Sequence, residues 1–307
     1  MNFTPRPYQQ SAHDCTMAHI RSSVSPCVID AAPAAGKSWM IAMLAESIHA
    51  MSGGKKILCL APSATLVEQN SEKYKATGQK FSIFSASAGR KELRHPVVFG
   101  TPLTVKNRIS SFKDGYAAVI IDEAHGITPT IISIVDAMRD SNPNLRVIGL
   151  SGTPYRLGSG YIFRQWPDGK VNQDDTCKEP YFDKCVIRVS AHEMLEHGYI
   201  TPMDIGGTGQ HYDTSGLAEK RGKFTDESLH QTFVGQGRLT AEIVANVVET
   251  ARHLYGGCML FAATIKHAEE ILASLPPNNS GIVTGDEAHA IGGTVKGRKA
   301  VILAYRE

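Results

Sequence analysis

The chain has 307 residues, and at about 150 residues per domain that length suggests two domains, each large enough to bury a core. Hydrophobic residues make up 42% and charged residues 20%, close to the averages of globular proteins, which excludes the disordered and fibrous classes. With 32 Lys and Arg against 30 Asp and Glu the net charge is only +2, so a nucleic-acid surface has to be a local patch.

The N-terminus, Met1-Asn2-Phe3-Thr4-Pro5-Arg6-Pro7, has no basic segment leading into an apolar core, so no secretory signal is expected and a cytoplasmic location follows. The apolar runs, such as 117–121, are far shorter than a membrane span. Six cysteines (Cys15, Cys27, Cys59, Cys177, Cys185, Cys258) are scattered without a Cys-x-x-Cys pair, and most lie in or beside strand-like runs. They read as reduced, buried thiols, and neither a disulfide framework nor zinc is expected.

Short β-rich runs at 27–30, 56–60, 97–100, 117–121 and 146–150 alternate with helical spacing at 38–51, 64–76, 103–111 and 128–139. This is the pattern of a parallel sheet with helices on both faces, in which ligands sit beyond the carboxyl ends of the strands. Composition then turns to Gly, Asp, Lys and aromatics, with Trp166-Pro167-Asp168-Gly169 as a turn. The expected organisation is a first domain over 1–157, a connection over 158–184 and a second α/β domain over 185–307. Its expected strands are 185–189, 258–262 and 281–284, and its helices 240–255 and 265–275. A sheet ending in the apolar run 300–304 would leave an edge uncovered, which suggests a shortened version of a longer protein.

Ala31-Ala32-Pro33-Ala34-Ala35-Gly36-Lys37-Ser38 follows the first strand and opens a helix, the setting of a phosphate-binding P-loop. Backbone amides and the helix N-terminus would face phosphates, Lys37 would reach the β and γ phosphates, and Ser38 would bind Mg²⁺. Ala31 stands where the strict pattern has Gly, and Ala34 where many P-loops have another; each Ala restricts positive φ. Downstream, Val119-Ile120-Ile121-Asp122-Glu123-Ala124-His125 sets two carboxylates at a strand end. Asp122 could hold Mg²⁺ while Glu123 polarises the attacking water. Read alone, such a pair is a solvated helix cap; together with the upstream loop it points to phosphoryl transfer to water.

Three features read as surface. His192-Glu193-Met194-Leu195-Glu196-His197 suggests a zinc helix, but its histidines are five apart, so at about 100° per residue their side chains diverge. Lys55-Lys56, and the group Lys296, Arg298 and Lys299, read as solvated faces. Val234-Gly235-Gln236-Gly237-Arg238 reads as a loop leading into a helix.

These motifs in this order resemble those of superfamily 2 helicases of the DEAH-box type. The resemblance implies a RecA-like ATP-binding domain followed by a partial second RecA-like domain, with ATP and Mg²⁺ as cofactors and single-stranded or branched DNA as partner. Arg6-Pro7-Tyr8-Gln9 resembles the adenine-reading Q motif, in which Gln9 would meet the adenine edge and Arg6 would lie beside it. Leu60-Ala61-Pro62-Ser63, with Leu66 and Gln69, resembles motif Ia, and Gly100-Thr101-Pro102 motif Ib; both imply contacts to the DNA backbone. Ser151-Gly152-Thr153-Pro154 resembles motif III, whose hydroxyls would couple the nucleotide and DNA sites. By the same resemblance Pro33, Ala34, Ala35, Gly36, Lys37, Ser38 and His125 bind the nucleotide, Lys37, Asp122 and Glu123 carry catalysis, and Thr264 meets nucleic acid.

Tyr155-Arg156-Leu157-Gly158, the run 196–202, the run 259–264 with His267, Ala268 and Glu270, and Thr284-Gly285-Asp286 are similar to bacterial RadD-type DNA-repair ATPases. The sequence departs from that pattern after these points, with no match to motifs V and VI or to the zinc segment of RadD-type proteins. A further polypeptide could supply the arginine finger of motif VI. The implied function is therefore an ATP-dependent DNA helicase or translocase in repair or recombination. The alternatives are a non-hydrolysing ATP- and DNA-binding fragment and a helicase subunit of a restriction or phage-encoded system.

Overall fold

The computed structural model describes residues 4–306 apart from 157–159, 173–178, 203–205, 207–208, 221–222, 255–256, 286–287 and 291. Met1, Asn2, Phe3, Leu157, Gly158, Cys177 and Asp286, all named above, lie outside the described residues, as does position 255 of the expected helix 240–255. The chain divides into two units, Met1–Pro202 and Met203–Glu307.

In the first unit α1 (Pro7–Ser22), β1 (Cys27–Ala31), α2 (Lys37–Met51), β2 (Lys56–Leu60) and α3 (Ala64–Lys75) follow in order. Next come β3 (Phe81–Ser85), β4 (Arg90–Lys91), β5 (Val97–Gly100), α4 (Pro102–Lys106) and β6 (Tyr116–Asp122). The unit continues with α5 (Pro129–Arg139), β7 (Arg146–Ser151), β8 (Tyr155–Arg156), β9 (Gly160–Tyr161), β10 (Phe163–Gln165), β11 (Phe182–Val189) and α6 (Ala191–Glu196). Among the described residues the central sheet has the order β10-β11-β1-β7-β6-β2-β5-β3-β4, and only β4 runs antiparallel to its neighbour.

Both faces are covered because alternate strand residues point to opposite sides. Ile29, Ile57, Cys59 and Ile120 pack with Met40, Ile41 and Leu44 of α2 and Val67 and Tyr74 of α3. Val28, Leu58, Val119 and Val147 pack on the other side with Val105 of α4 and Ile134, Val135 and Met138 of α5. The expected α/β architecture is therefore present. Cys27, Cys59 and Cys185 are buried free thiols on its strands, whereas Cys15 is exposed on α1.

Several sequence expectations change. The strand expected at 185–189 forms as β11, but it pairs with β1 and completes the first sheet instead of opening a second. The reason is burial: β1 is buried along its whole length and needs a neighbour on each side, and Phe182, Cys185 and Val189 fill that place. The helical spacing read at 103–111 divides into α4 and a 3₁₀ turn at Ile109–Ser111. The run 258–262 takes no strand, because a strand exists only by pairing and the neighbour expected for it, β14, pairs elsewhere; Phe261 is exposed. The apolar run 300–304 lies in a helix, α10, and not at a sheet edge.

The second unit contains β12 (Glu219–Lys220), β13 (Lys223–Phe224), α7 (Asp226–Phe233), α8 (Gly237–Leu254) and α9 (Ile265–Ala273). It ends with β14 (Gly281–Val283), β15 (Ala288–Ala290), β16 (Val295–Lys296) and α10 (Arg298–Arg306). Its described sheets, β12-β13 and β14-β15-β16, are antiparallel, where parallel strands are expected from the sequence. Among the described residues no helix is long and apolar enough to cross a membrane.

Asp30 near the end of β1 is an acid buried in the sheet, and burial pushes its carboxyl up to about 6 although Arg188 lies 3.2 Å away and opposes the shift. A raised carboxylate binds more protons folded than unfolded, so its cost grows as pH rises from about 4 to 6. Asp30→Asn should stabilise the fold by about 2 kcal/mol near pH 7.5 and by clearly less near pH 4.5, as read by denaturant titration at the two pH values.

Candidate functional site

The P-loop and the acidic motif meet because of strand order. β7 lies between β1 and β6, with Asp30 level with Ser151 and Leu150 level with Asp122. The two strand ends are therefore about 10 Å apart, two strand spacings, which a lysine side chain can cross. Lys37 at the start of α2 does so: its Nζ lies 3.5 Å from Glu123 Oε1, with both side chains largely shielded.

Gly36 caps α2 in a left-handed conformation (φ 79°), and a Cβ there would lie 2.6 Å from Gln9 Nε2. Glycine thus satisfies both the turn and the close approach of Gln9. Ala34 takes φ 66° without being glycine, which costs about 1–2 kcal/mol. The alanine noted in the sequence as unfavourable here is accommodated at positive φ. Pro33 and Ala34 are exposed, Ala35 is buried, and Lys37 and Ser38 are half-buried at the first turn of α2.

Gln9 is buried and its amide is committed on both sides. Its Nε2 donates to Ala35 O at 3.0 Å, and its Oε1 accepts from Arg6 N at 2.9 Å. The segment 6–9 is thereby fastened to the P-loop. Arg6 lies over the Tyr199 ring at 4.7 Å and donates to Tyr8 Oη at 3.2 Å, so an aromatic and cationic cluster borders this end of the loop.

On β6, Asp122 is buried, and burial raises its carboxyl above the ordinary aspartate range while the Asn70 hydrogen bond opposes this. Asn70 Nδ2 donates to Oδ2 at 2.8 Å, and Glu123 N donates to Oδ1 at 2.9 Å. Glu123 sits at φ 50°, a second left-handed residue that is not glycine. Gly126 N donates to its carbonyl at 2.9 Å, and Arg156 donates to the carbonyls of His125 and Ile127 at 2.8 and 2.5 Å. The turn that aims Glu123 is thus fixed from within and clamped from β8.

His125 Nδ1 lies 2.9 Å from Ser151 Oγ and 3.3 Å from Glu123 Oε2, with Thr153 Oγ1 at 3.5 Å. Ser151 also accepts from Thr153 N at 3.0 Å. A Cβ at Gly152 would come within 3.2 Å of Ala31 O and 3.4 Å of Lys37 Nζ, so the loop after β7 needs glycine to lie against the P-loop.

The motif Ia and Ib residues share a cleft of about 100 Å³ with this centre: Pro62 and Pro102 line it together with Asp122, Glu123 and His125. Ser63 caps α3, accepting from Leu66 N at 3.3 Å, and Ser63 and Gln69 are exposed. Thr101 is buried instead, its hydroxyl taken by Ser85 Oγ at 3.2 Å and Thr104 Oγ1 at 3.0 Å. It braces the turn and does not face outward. Thr264 lies in the second unit as the cap of α9, its Oγ1 accepting from His267 N at 3.1 Å.

His192 pairs with Glu196 at 3.2 Å on an exposed face, and no group of three or more metal-ligating residues occurs among the described residues. Asn70 was not identified from the sequence as a site residue, and Arg156 only as part of a resemblance. For Asn70 the available signal is a polar residue on the apolar stripe Val67, Asn70, Tyr74 of α3.

A family described as "Type III restriction enzyme, res subunit" matches residues 2–156. No curated protein matches the sequence. Among solved structures the UvsW helicase from bacteriophage T4 is similar at 22% identity and TM-score 0.42, over 50% of this chain and 54% of that one. The Hef helicase domain of Pyrococcus furiosus is similar at 24% identity and TM-score 0.40, over 49% and 33%. The Type ISP restriction-modification enzyme LlaGI, solved with a DNA substrate mimic, is similar at 18% identity and TM-score 0.46, over 64% and 21%. This chain therefore spans at most 54% of those proteins' lengths.

Arg156→Ala removes two charge-assisted hydrogen bonds to the backbone carbonyls of the turn at 123–127. The expected loss is about 2 kcal/mol of stability in denaturant titration, with faster amide exchange confined to that turn.

Proposed function

The chain belongs to the family of type III restriction enzyme res subunits, and from that premise we propose that it is a nucleic-acid-dependent ATP-hydrolysing motor of superfamily 2, acting on DNA. The observation that carries the reading is the meeting of Lys37 and Glu123 at 3.5 Å beside the buried Asp122. A P-loop lysine and a strand-end carboxylate at that spacing suit phosphoryl transfer to water.

In this reading ATP lies along the P-loop, its phosphates against the backbone amides of 33–38 and the N-terminus of α2. Lys37 leaves Glu123 for the β and γ phosphates. Glu123 then accepts a proton from the attacking water, whose oxygen bonds the γ phosphorus as the bridging bond to the β phosphate breaks, giving ADP and phosphate. The hard oxygens of Ser38 and Asp122, the latter oriented by two donors, fit Mg²⁺. When bound, that ion neutralises charge on the β and γ oxygens. Arg6 and Gln9 border the base end. His125, Ser151 and Thr153 link Glu123 to the loop after β7 and carry the coupling to DNA.

DNA, single-stranded or branched, contacts the exposed Pro62, Ser63 and Gln69 and the half-buried Pro102 of the first unit; Thr264 is the nucleic-acid residue of the second unit. An arginine finger from a further polypeptide, or from another part of the whole protein, completes the γ-phosphate site. Two settings suit such a motor. The RadD-like segments favour DNA repair or recombination, whereas the family match favours a restriction system.

Steady-state hydrolysis of ATP by the purified chain, with and without single-stranded DNA, is the test. The wild type should turn over faster with DNA. Lys37→Ala should lose nucleotide binding, while Glu123→Gln should keep binding and lose at least about 100-fold in kcat. Undiminished hydrolysis by Glu123→Gln would remove this carboxylate from the role of base.

A further inference from the structure

Helix α3 has two distinct faces at the site. Its N-terminal cap Ser63 and its exposed Gln69 are the segment assigned above to nucleic acid, while Val67, Asn70, Ser71 and Tyr74 turn inward. Three of these four belong to ordinary helix packing. Asn70 does not, because only 2% of it is exposed and its one hydrogen bond runs 2.8 Å to the carboxylate of Asp122, fifty-two residues downstream on another element.

The chemistry fixes the orientation of this amide. A carboxylate oxygen repels a carbonyl oxygen, so the NH₂ group has to face Asp122 and the Oδ1 has to point away. That Oδ1 is buried and without a hydrogen-bond partner, which leaves its desolvation uncompensated. An apolar residue would pack on this face of α3 without that cost, so packing alone does not account for the asparagine. The cleft at the same place supports a functional reason, since Pro62, next to the α3 cap, lines it together with Asp122 and Glu123.

We propose that Asn70 is a positioning residue that fixes the Asp122 carboxylate to α3, so that a nucleic acid held at the N-terminus of α3 is read at the nucleotide site. The inference rests on the proposed function for the identity of the two ligands. Asn70 touches neither; it acts through Asp122, whose other oxygen is held by Glu123 N, the backbone of the base itself. A displacement of α3 is therefore passed to the Asp122 carboxylate and on to the backbone of Glu123 by two hydrogen bonds in series.

The test uses Asn70→Leu, which keeps bulk and loses the donor, and Asn70→Ala, which avoids crowding. Val67→Ala serves as a control that loosens α3 from the core without touching Asp122. Binding of a fluorescent ATP analogue is titrated with Mg²⁺, and hydrolysis is measured with and without single-stranded DNA. The Asn70 variants should need about 10-fold or more Mg²⁺ for half-maximal nucleotide binding, and their stimulation by DNA should fall towards one. Val67→Ala should melt earlier and keep both properties.

Wild-type Mg²⁺ dependence and DNA stimulation in a folded Asn70 variant would overturn the proposal, as would an equal Mg²⁺ shift in Val67→Ala. If DNA fails to stimulate the wild type, the motor reading fails by itself, and the Mg²⁺ midpoint still decides whether Asn70 positions Asp122.

Discussion

A single ion pair across one intervening strand, Lys37 with Glu123, is the constraint on which the site depends. Neither residue reaches the other unless β1, β7 and β6 lie side by side in register, and that register is set by the apolar residues that alternate between the two cores. The pair is only partly exposed, so it is less weakened by solvent than a surface pair. In the proposed mechanism each group holds the place of the other's eventual partner, because a phosphate that attracts Lys37 would release Glu123 to water.

Among the described residues two that are not glycine take left-handed backbone, Ala34 in the P-loop and Glu123 in the acidic turn. Glu123 is one member of that ion pair, and Ala34 lies three residues before the other. Such conformations persist when their surroundings over-determine them. Around Glu123 the bonds from Gly126 and Arg156 and to Asp122 do this; around Ala34 the work falls to Gly36, the buried Ala35 and the Gln9 amide. Arg156 on β8 and Asn70 on α3 approach the acidic turn from elements far apart in the chain, so its aim is a product of tertiary structure.

Much of this was legible beforehand. β1, β2, β5, β6 and β7 read clearly because a strand buried on both faces is a short continuous apolar run, and Lys37, Asp122, Glu123, Ser151 and Thr153 stood at the ends of those runs, where α/β sheets bind ligands. β11 is legible as a strand but not as part of the first sheet, because the Gly-, Asp- and Lys-rich stretch before it resembles a linker, and pairing across such a gap leaves no local signal. Thr101 looked like an outward hydroxyl since side-chain direction in a tight turn depends on its neighbours, Ser85 and Thr104, which sequence spacing does not bring together. α10 read as a strand because five apolar residues in a row fit either state. Asn70 shows the limit most clearly: a polar residue on an apolar stripe was visible, but its partner lies fifty-two residues away.

The most direct measurement is a crystal structure of the chain with a non-hydrolysable ATP analogue and Mg²⁺. The expected result is the γ-phosphate against Lys37 Nζ, the Lys37–Glu123 contact of 3.5 Å opened, and a Glu123 oxygen facing the water in line for attack. A nucleotide bound elsewhere, with Lys37 still paired to Glu123, would contradict it.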